Sequence, residues 1–219
     1  MGRHNLQITY NPDIFTVRNA VEAKAIILTA ETSTTEARWE RETPWTCDLI
    51  AAQKQLGAES VVLDYGCGIG RMSKALIERH GCRVVGVDIS PSMRALSVEY
   101  VGSDRFFACS PVMLDLLIGQ GLQVDLAISV WVLQHCLTPA DDIRALRNAV
   151  RPGGGLFIVN NVHRAVPSRE QGWINDGVDI KATLARIFQA KDDRLLHSPD
   201  VPSSLSGNTY WAYFEKAES

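Results

Sequence analysis

From residue 60 onward, short continuous apolar runs alternate with amphipathic stretches. The runs at 60–64, 83–88, 105–109, 124–130 and 155–160 are rich in Val, Ile and Leu. They do not alternate apolar with polar, the pattern of strands covered on both faces. Helices with readable ends lie between them. Residues 71–80 stop at Gly81, suited to the left-handed position that closes a helix. Ser90-Pro91-Ser92 offers an N-cap serine followed by proline at the first helical position. Thr138-Pro139-Ala140-Asp141 repeats that device, with Asp141 and Asp142 in the first turn. This last helix carries Ile143, Leu146 and Val150 on one face and breaks at Arg151-Pro152-Gly153. Five such alternations predict an α/β fold: a Rossmann-like, doubly wound, mostly parallel sheet with right-handed crossovers.

Two segments stand outside that alternation. Residues 1–57 read as an N-terminal helical cap, in which Thr43-Pro44 opens a helix carrying Trp45, Leu49, Ala52 and Leu56 on one stripe and ending at Gly57. Residues 194–197 and 210–215 read as a C-terminal antiparallel hairpin around a Pro/Ser/Gly loop. The expected organisation is a cap over 1–57 and a core over 58–219, one domain overall.

Composition narrows the function classes. The 219 residues are 46% hydrophobic and 21% charged, enough chain for one sizeable core. The net charge of −3 gives no general nucleic-acid signal, and Arg144, Arg147 and Arg151 are read as a solvated helix face mixed with Asp141 and Asp142. Five scattered cysteines with no CxxC pair are expected as free thiols in a reducing compartment, with no disulfide frame and no metal site. No apolar run approaches the roughly 18 residues of a membrane span, the first residues lack an apolar leader, and Leu6 stands where a myristoylation motif needs Ser or Thr. The expectation is a soluble, cytoplasmic protein without a membrane or nucleic-acid partner.

The chemistry concentrates in Asp64-Tyr65-Gly66-Cys67-Gly68-Ile69-Gly70, directly after the first strand. Glycine permits positive φ and close backbone approach, and this turn falls at the switch point of a doubly wound sheet. A flat, adenosine-like ligand is expected there. The dinucleotide pattern G-x-G-x-x-G would need its third glycine at Arg71. Asp64 beside the turn repels a pyrophosphate and favours an ammonium group, so the ligand is expected to have an amino-acid end.

That stretch resembles motif I of the class I S-adenosylmethionine-dependent methyltransferases, whose pattern is D/E-x-G-x-G-x-G. Val85 to Met93 resembles the family's second strand and its terminal acid, Asp125 to Ser129 its fourth strand, and Arg151-Pro152-Gly153-Gly154-Gly155 the turn before its fifth. The resemblance spans about residues 58–162 and implies S-adenosylmethionine as cofactor. By resemblance, Asp64 holds the glycine loop or the methionyl ammonium, and Gly66, Gly68 and Gly70 give backbone approach. Asp88 accepts both ribose hydroxyls, Ile89 packs on adenine, and Ser129 and Val130 line the sulfonium side. Tyr65 and Trp131 are read either as core or as aromatic faces sensing the sulfonium. The family's acid after the third strand is missing, which leaves Ser110 or a backbone carbonyl for the adenine amine. Trp39 and Arg38, in the covering segment, are candidates for the methionyl carboxylate or the acceptor.

Methyl transfer needs alignment first, and a base only where the acceptor must lose a proton early. His135, just past the fourth strand, reads either as that base or as a histidine bonded beneath its loop. His163 at the end of the fifth strand lies near the same rim, with Arg164 and Arg169 beside it, whereas His4, His80 and His197 have no such placement. Residues 163–178, with Trp173, are expected as a lid or wall over the acceptor. No N/D-P-P-Y/F motif follows the fourth strand, which argues against amino-methylation of DNA bases. The expected activity is methyl transfer to an O or N atom of a small-molecule acceptor. The alternatives are a non-catalytic cofactor-binding partner subunit and an NAD(P)-dependent oxidoreductase. Oligomeric state is left open.

Overall fold

The computed structural model describes residues 8–30, 33–196 and 207–218. His4 and His197 lie outside the described residues. The core alternates β1 (Val61–Tyr65), α3 (Arg71–His80), β2 (Arg83–Val87), α4 (Pro91–Val101), β3 (Phe106–Cys109), α5 (Pro111–Gly119), β4 (Val124–Val130), α6 (Pro139–Ala149) and β5 (Val150–Asn161). Ahead of it lie α1 (Ala20–Ile27) and α2 (Thr35–Gln53), and after it β6 (Val166–Ser168), β7 (Gly172–Ile174), α7 (Ile180–Ala185), β8 (Gln189–Leu195) and β9 (Thr209–Glu215).

Seven strands form one sheet in the order β3-β2-β1-β4-β5-β9-β8, while β6 and β7 form a separate small hairpin. Strands β1 to β5 are parallel and β9 is antiparallel to both β5 and β8. The expected doubly wound sheet is therefore present, with its switch point between β1 and β4. The closing hairpin is longer than the sequence reading, and its second strand lies inside. The apolar β9, Thr-Tyr-Trp-Ala-Tyr-Phe-Glu, is buried beside β5, whereas the charged β8 takes the exposed edge.

One large apolar cluster, with Leu63, Ala127, Leu146, Leu156, Ile158 and Phe214, packs under α5, α6 and α7. A second, with Ile50, Val62, Leu76, Ile128, Phe157 and Trp211, packs under α2 and α3. Cα positions of β1 and β4 run in register from Val62 opposite Leu126 to Asp64 opposite Ile128, so both strands end at the same rim.

Three local expectations change. Pro44 lies inside a nineteen-residue α2 and does not open a helix. Thr34 caps that helix by accepting from the Ala37 N–H at 3.2 Å, and a buried Arg38–Glu42 ion pair with N···O of 2.6 Å carries it towards the proline. Thr138 precedes α6, but its hydroxyl makes no cap bond. Arg151 has left α6 for β5, where its Nε donates to Asp125 at 2.7 Å.

Candidate active site

The loop after β1 carries the sequence's strongest signal, and its glycines answer first to the protein itself. Gly66 has φ of 78°, and a Cβ there would come within 2.2 Å of Val132. Gly68 has φ of 55°, and a Cβ would come within 2.5 Å of Ile27 Cδ1 from α1. Left-handed backbone and close side-chain packing therefore each demand glycine at these two positions. The third glycine, Gly70, abuts Val101 of α4. The sequence reading gave all that space to the ligand, but much of it belongs to α1, α4 and the segment after β4.

Asp64, at the end of β1, is buried, and its Oδ2 accepts from the Ser73 N–H at 3.1 Å and the Ser73 hydroxyl at 2.7 Å. It thus ties the strand to the first turn of α3. Burial pushes its carboxyl up to about 6, against the opposing pull of the Ser73 bonds and Arg71. Asp88, just past β2, accepts from the Gly68 N–H at 2.9 Å on one oxygen and from the Ser90 N–H at 2.8 Å on the other. Burial raises its pKa too, partly offset by those bonds. The glycine loop and the second-strand acid are therefore one bonded unit. Ile89, next to Asp88, is exposed at the rim, and its carbonyl accepts from Arg94 at 3.1 Å.

The tip of β4 is shaped by strain. Trp131 has φ of 66°, the one positive φ outside glycine among the described residues, and its N–H bonds the Val159 carbonyl at 2.8 Å. Val130 packs with the α2/α3 cluster. Ser129 is buried and its hydroxyl has no partner. Tyr65 is also buried, and its hydroxyl donates to Asp142 at the start of α6. Burial raises the pKa of Asp142 as well. Asp64, Asp88 and Asp142 thus lie near the carboxyl ends of β1, β2 and β4, and among the described residues no Lys or Arg side chain makes an ion pair with their carboxylates, although Arg94 donates to the Asp88 backbone carbonyl at 2.7 Å.

The remaining candidates separate. Ser110 is committed to α5, accepting from the Met113 N–H at 3.2 Å, while the Cys109 carbonyl accepts from the Asp88 N–H at 3.2 Å. Trp39 donates its indole N–H to Tyr100 at 3.2 Å, with Arg71 5.7 Å over its ring. It lines a cavity of about 230 Å³ between α2, α3 and α4, together with Thr43, Lys74 and Tyr100. Arg38 is consumed by Glu42 and by the Thr29 carbonyl at 2.8 Å.

His135 has both ring nitrogens engaged: Nδ1 lies 2.6 Å from the Ala165 carbonyl and Nε2 3.1 Å from the Gln134 amide. The carbonyl makes Nδ1 the donor, so Nε2 accepts. Burial lowers its pKa below the ordinary imidazole value, with Arg164 adding to that and the Ala165 bond opposing it. Its ring lies 5.1 Å from Trp173 of β7 and 6.1 Å from Phe15. His163 is exposed on the loop after β5. Its neighbour Arg164 is buried, contrary to the rim position read from sequence. It pairs with Asp176 at 2.8 Å and donates to the Cys136 carbonyl at 2.6 Å and the Leu133 carbonyl at 3.3 Å. Arg169 remains exposed and pairs with Asp13 at 2.8 Å.

Sequence reasoning missed the segment just before α1. Tyr10 forms an antiparallel bridge with Ser168, and the Asn11 N–H bonds the Pro167 carbonyl at 3.0 Å. Six residues on, the Val17 N–H bonds Ser92 Oγ at 3.0 Å at the start of α4. The segment therefore crosses from the β6 side of the sheet to the β2 side. No local pattern in Ile-Thr-Tyr-Asn-Pro-Asp-Ile-Phe announces that, because the segment's partners named above lie 75 to 158 positions away.

A family described as a methyltransferase domain matches residues 63–158. The chain is 28% identical over 179 residues to a malonyl-[acyl-carrier protein] O-methyltransferase of Marinomonas sp., covering 78% of this chain and 63% of that protein. It is 31% identical over 109 residues to a ubiquinone biosynthesis O-methyltransferase of Idiomarina loihiensis, covering 49% of this chain and 44% of the relative. The chain thus spans under two thirds of either relative's length. In fold it is similar to the N-methyltransferase NodS of Bradyrhizobium japonicum WM9, solved with S-adenosyl-L-homocysteine. The TM-score is 0.65 at 16% identity, over 92% of this chain and all of that one. The matched family and the relatives indicate a class I S-adenosylmethionine-dependent methyltransferase domain over the strand–helix core. Its residues are compatible with that cationic cofactor: the carboxylates of Asp64, Asp88 and Asp142 near the strand ends make no ion pair among the described residues. Among the described residues, no cluster of His, Cys, Asp or Glu could hold a metal ion, and no helix is long and apolar enough to cross a membrane.

Proposed function

We propose that this chain transfers the methyl group of S-adenosylmethionine to an oxygen or nitrogen atom of a small-molecule acceptor. The observation that carries the reading is the bonded unit of Gly68 and Asp88 at the switch point, beside carboxylates that make no direct ion pair among the described residues. In this reading Asp88 accepts the ribose hydroxyls, and Asp64 holds the loop and favours the cationic end. Tyr65 and Ser129 support the floor, Val130 lines the sulfonium side, and Ile89 lies against adenine. The adenine amine falls to the backbone near Ser110. Trp39 braces the helical cap, residues 1–57, against the core.

When bound, the cofactor supplies an electrophilic methyl whose departure leaves a neutral thioether. The protein's share is to align the acceptor and keep water out, where proximity is worth about 7–11 kcal/mol. In this reading the acceptor lies over the β4 and β5 tips, beside the ring cluster of Phe15, His135 and Trp173. His163 is the exposed imidazole on that rim. His135 becomes a base only when the Gln134 amide leaves its Nε2. The named relatives, both O-methyltransferases, support an oxygen acceptor, and the fold neighbour, an N-methyltransferase, supports nitrogen.

Calorimetric titration with S-adenosylhomocysteine, with NADH as control and with Asp88→Ala, tests the reading. Micromolar binding of the thioether that disappears in the variant is expected. Binding of NADH alone, or of neither, overturns it.

A further inference from the structure

Arg71, the first residue of α3, is buried without a carboxylate partner. Its relative exposure is 3%, and among the described residues its one hydrogen bond runs from Nη1 to Thr43 Oγ1 at 3.2 Å. Thr43 Oγ1 in turn donates to the Trp39 carbonyl at 2.5 Å, which fixes the acceptor. The Arg71 Nε is shut from water and has no partner. Both carboxylates whose field reaches this guanidinium are already engaged. Glu42 is held by Arg38 at 2.6 Å, and Asp64 accepts both bonds from Ser73. A buried guanidinium has five N–H donors, and leaving most of them unanswered is costly.

Arg71, Lys74, Ala75 and Glu78 recur at helical spacing and share one face of α3. That face lines the cavity of about 230 Å³ that α3 forms with α2 and α4. Trp39, Pro44, Ala75 and Tyr100 give it apolar walls, with the two rings edge to face and their centroids 6.0 Å apart. Lys74 Nζ donates to the Tyr100 carbonyl at 3.2 Å and lies 3.6 Å from Glu78. The two acids on the lining, Glu40 and Glu78, are exposed, whereas Arg71 is deep. The cavity is therefore apolar on its walls and cationic at depth. A cavity of about 150 Å³ already holds a benzene ring, so this one has room for a ring and a carboxylate.

We propose that this cavity is a binding site for a small aromatic carboxylate, its ring against Trp39 and Tyr100 and its carboxylate on Arg71 and Lys74. The planar guanidinium matches a carboxylate in geometry as well as charge, and ring burial supplies the rest of the affinity. The site is separate from the cofactor loop, because Ser73, on another face of α3, is what holds Asp64. An occupant joins α2 of the cap to α3 and α4, the helices that follow β1 and β2.

The test is calorimetric titration of wild type, Arg71→Met and Lys74→Met with sodium benzoate, benzyl alcohol and inorganic phosphate, with a thermal melt of each protein. Wild type should bind benzoate with a dissociation constant of about 1 mM or tighter, the reach of a fragment with one ion pair and one buried ring. Arg71→Met should lose at least about tenfold, the scale of a hydrogen bond to a charged group. Lys74→Met should lose about threefold, since its amine is partly in water. Benzyl alcohol should bind far more weakly, and excess S-adenosylhomocysteine should not displace benzoate. A wild type that ignores benzoate, or an Arg71→Met that binds it equally, overturns the site. Tighter binding of phosphate overturns the aromatic class, and displacement by S-adenosylhomocysteine places benzoate in the other cleft and overturns the assignment. If Arg71→Met does not fold, unchanged affinity in Lys74→Met overturns the proposal in its place.

Discussion

Asp64→Asn isolates the cost of keeping a carboxylate under the glycine loop. The asparagine carbonyl can still accept from the Ser73 N–H and hydroxyl, at 3.1 and 2.7 Å in the native protein, so packing and bonding are preserved while the charge is lost. Burial raises the Asp64 carboxyl from 3.8 to about 6. Roughly two pKa units correspond to about 3 kcal/mol of differential stability between its protonation states. An acid whose pKa is raised by folding binds its proton more tightly in the native state. Its contribution is full below the unfolded pKa near 4 and is lost as the pH climbs through about 6. Wild type should therefore lose about 2.4 kcal/mol between pH 4 and pH 7.5 relative to the variant, a shift of about 5–10 °C in relative melting temperature for a chain this size. Urea or thermal unfolding of both proteins at those two pH values measures it, without ligand. Parallel pH profiles for wild type and variant would sink the argument, because the residue would then carry its charge at no cost. A cationic ligand inverts the dependence, since it favours the ionised form. Wild-type affinity for S-adenosylmethionine should rise with pH through about 6, and that of Asp64→Asn should not.

The other predictions follow from packing. Gly68→Ala adds a Cβ 2.5 Å from Ile27 Cδ1 at φ of 55°, and should destabilise by about 2 kcal/mol. Adding Ile27→Ala should recover the crowding part, read as a coupling of about 1 kcal/mol in a double-mutant cycle by denaturant unfolding. A coupling of zero would mean that α1 does not press on the loop. Arg164→Met leaves Asp176 and the Cys136 and Leu133 carbonyls without their buried donor. It should cost about 3–5 kcal/mol in the same assay, and a loss under about 1 kcal/mol would place that guanidinium in water.

Arg164 also shows where reading a sequence stops. An arginine beside a histidine after a strand reads as a solvated rim, and only its fixed contacts with Asp176, Leu133 and Cys136 reveal a staple beneath the turn that carries His135. The same turn decides His135. Its type and position suggested a base, while its two hydrogen bonds depend on Gln134 and on Ala165, thirty residues away. Pro44 was misread for a local reason: proline favours a helix start on average, but here a buried ion pair and a strong cap carry the helix through it.

By itself the sequence determined the alternation of strands and helices, the place of the glycine loop and the acid after β2. Those features rest on short-range rules: continuous apolar runs for buried strands, caps at helix ends, glycine where φ is positive. It therefore carried the fold and the cofactor family. Only the tertiary structure decided that β9 lies inside β8, that Ile27 and Val132 share the glycine cradle, and that the segment before α1 is bonded to Pro167 at one end and to Ser92 at the other. Each of these joins residues far apart in the chain, where the pairing is set by what must be buried and bonded together and leaves no periodic trace in either partner alone.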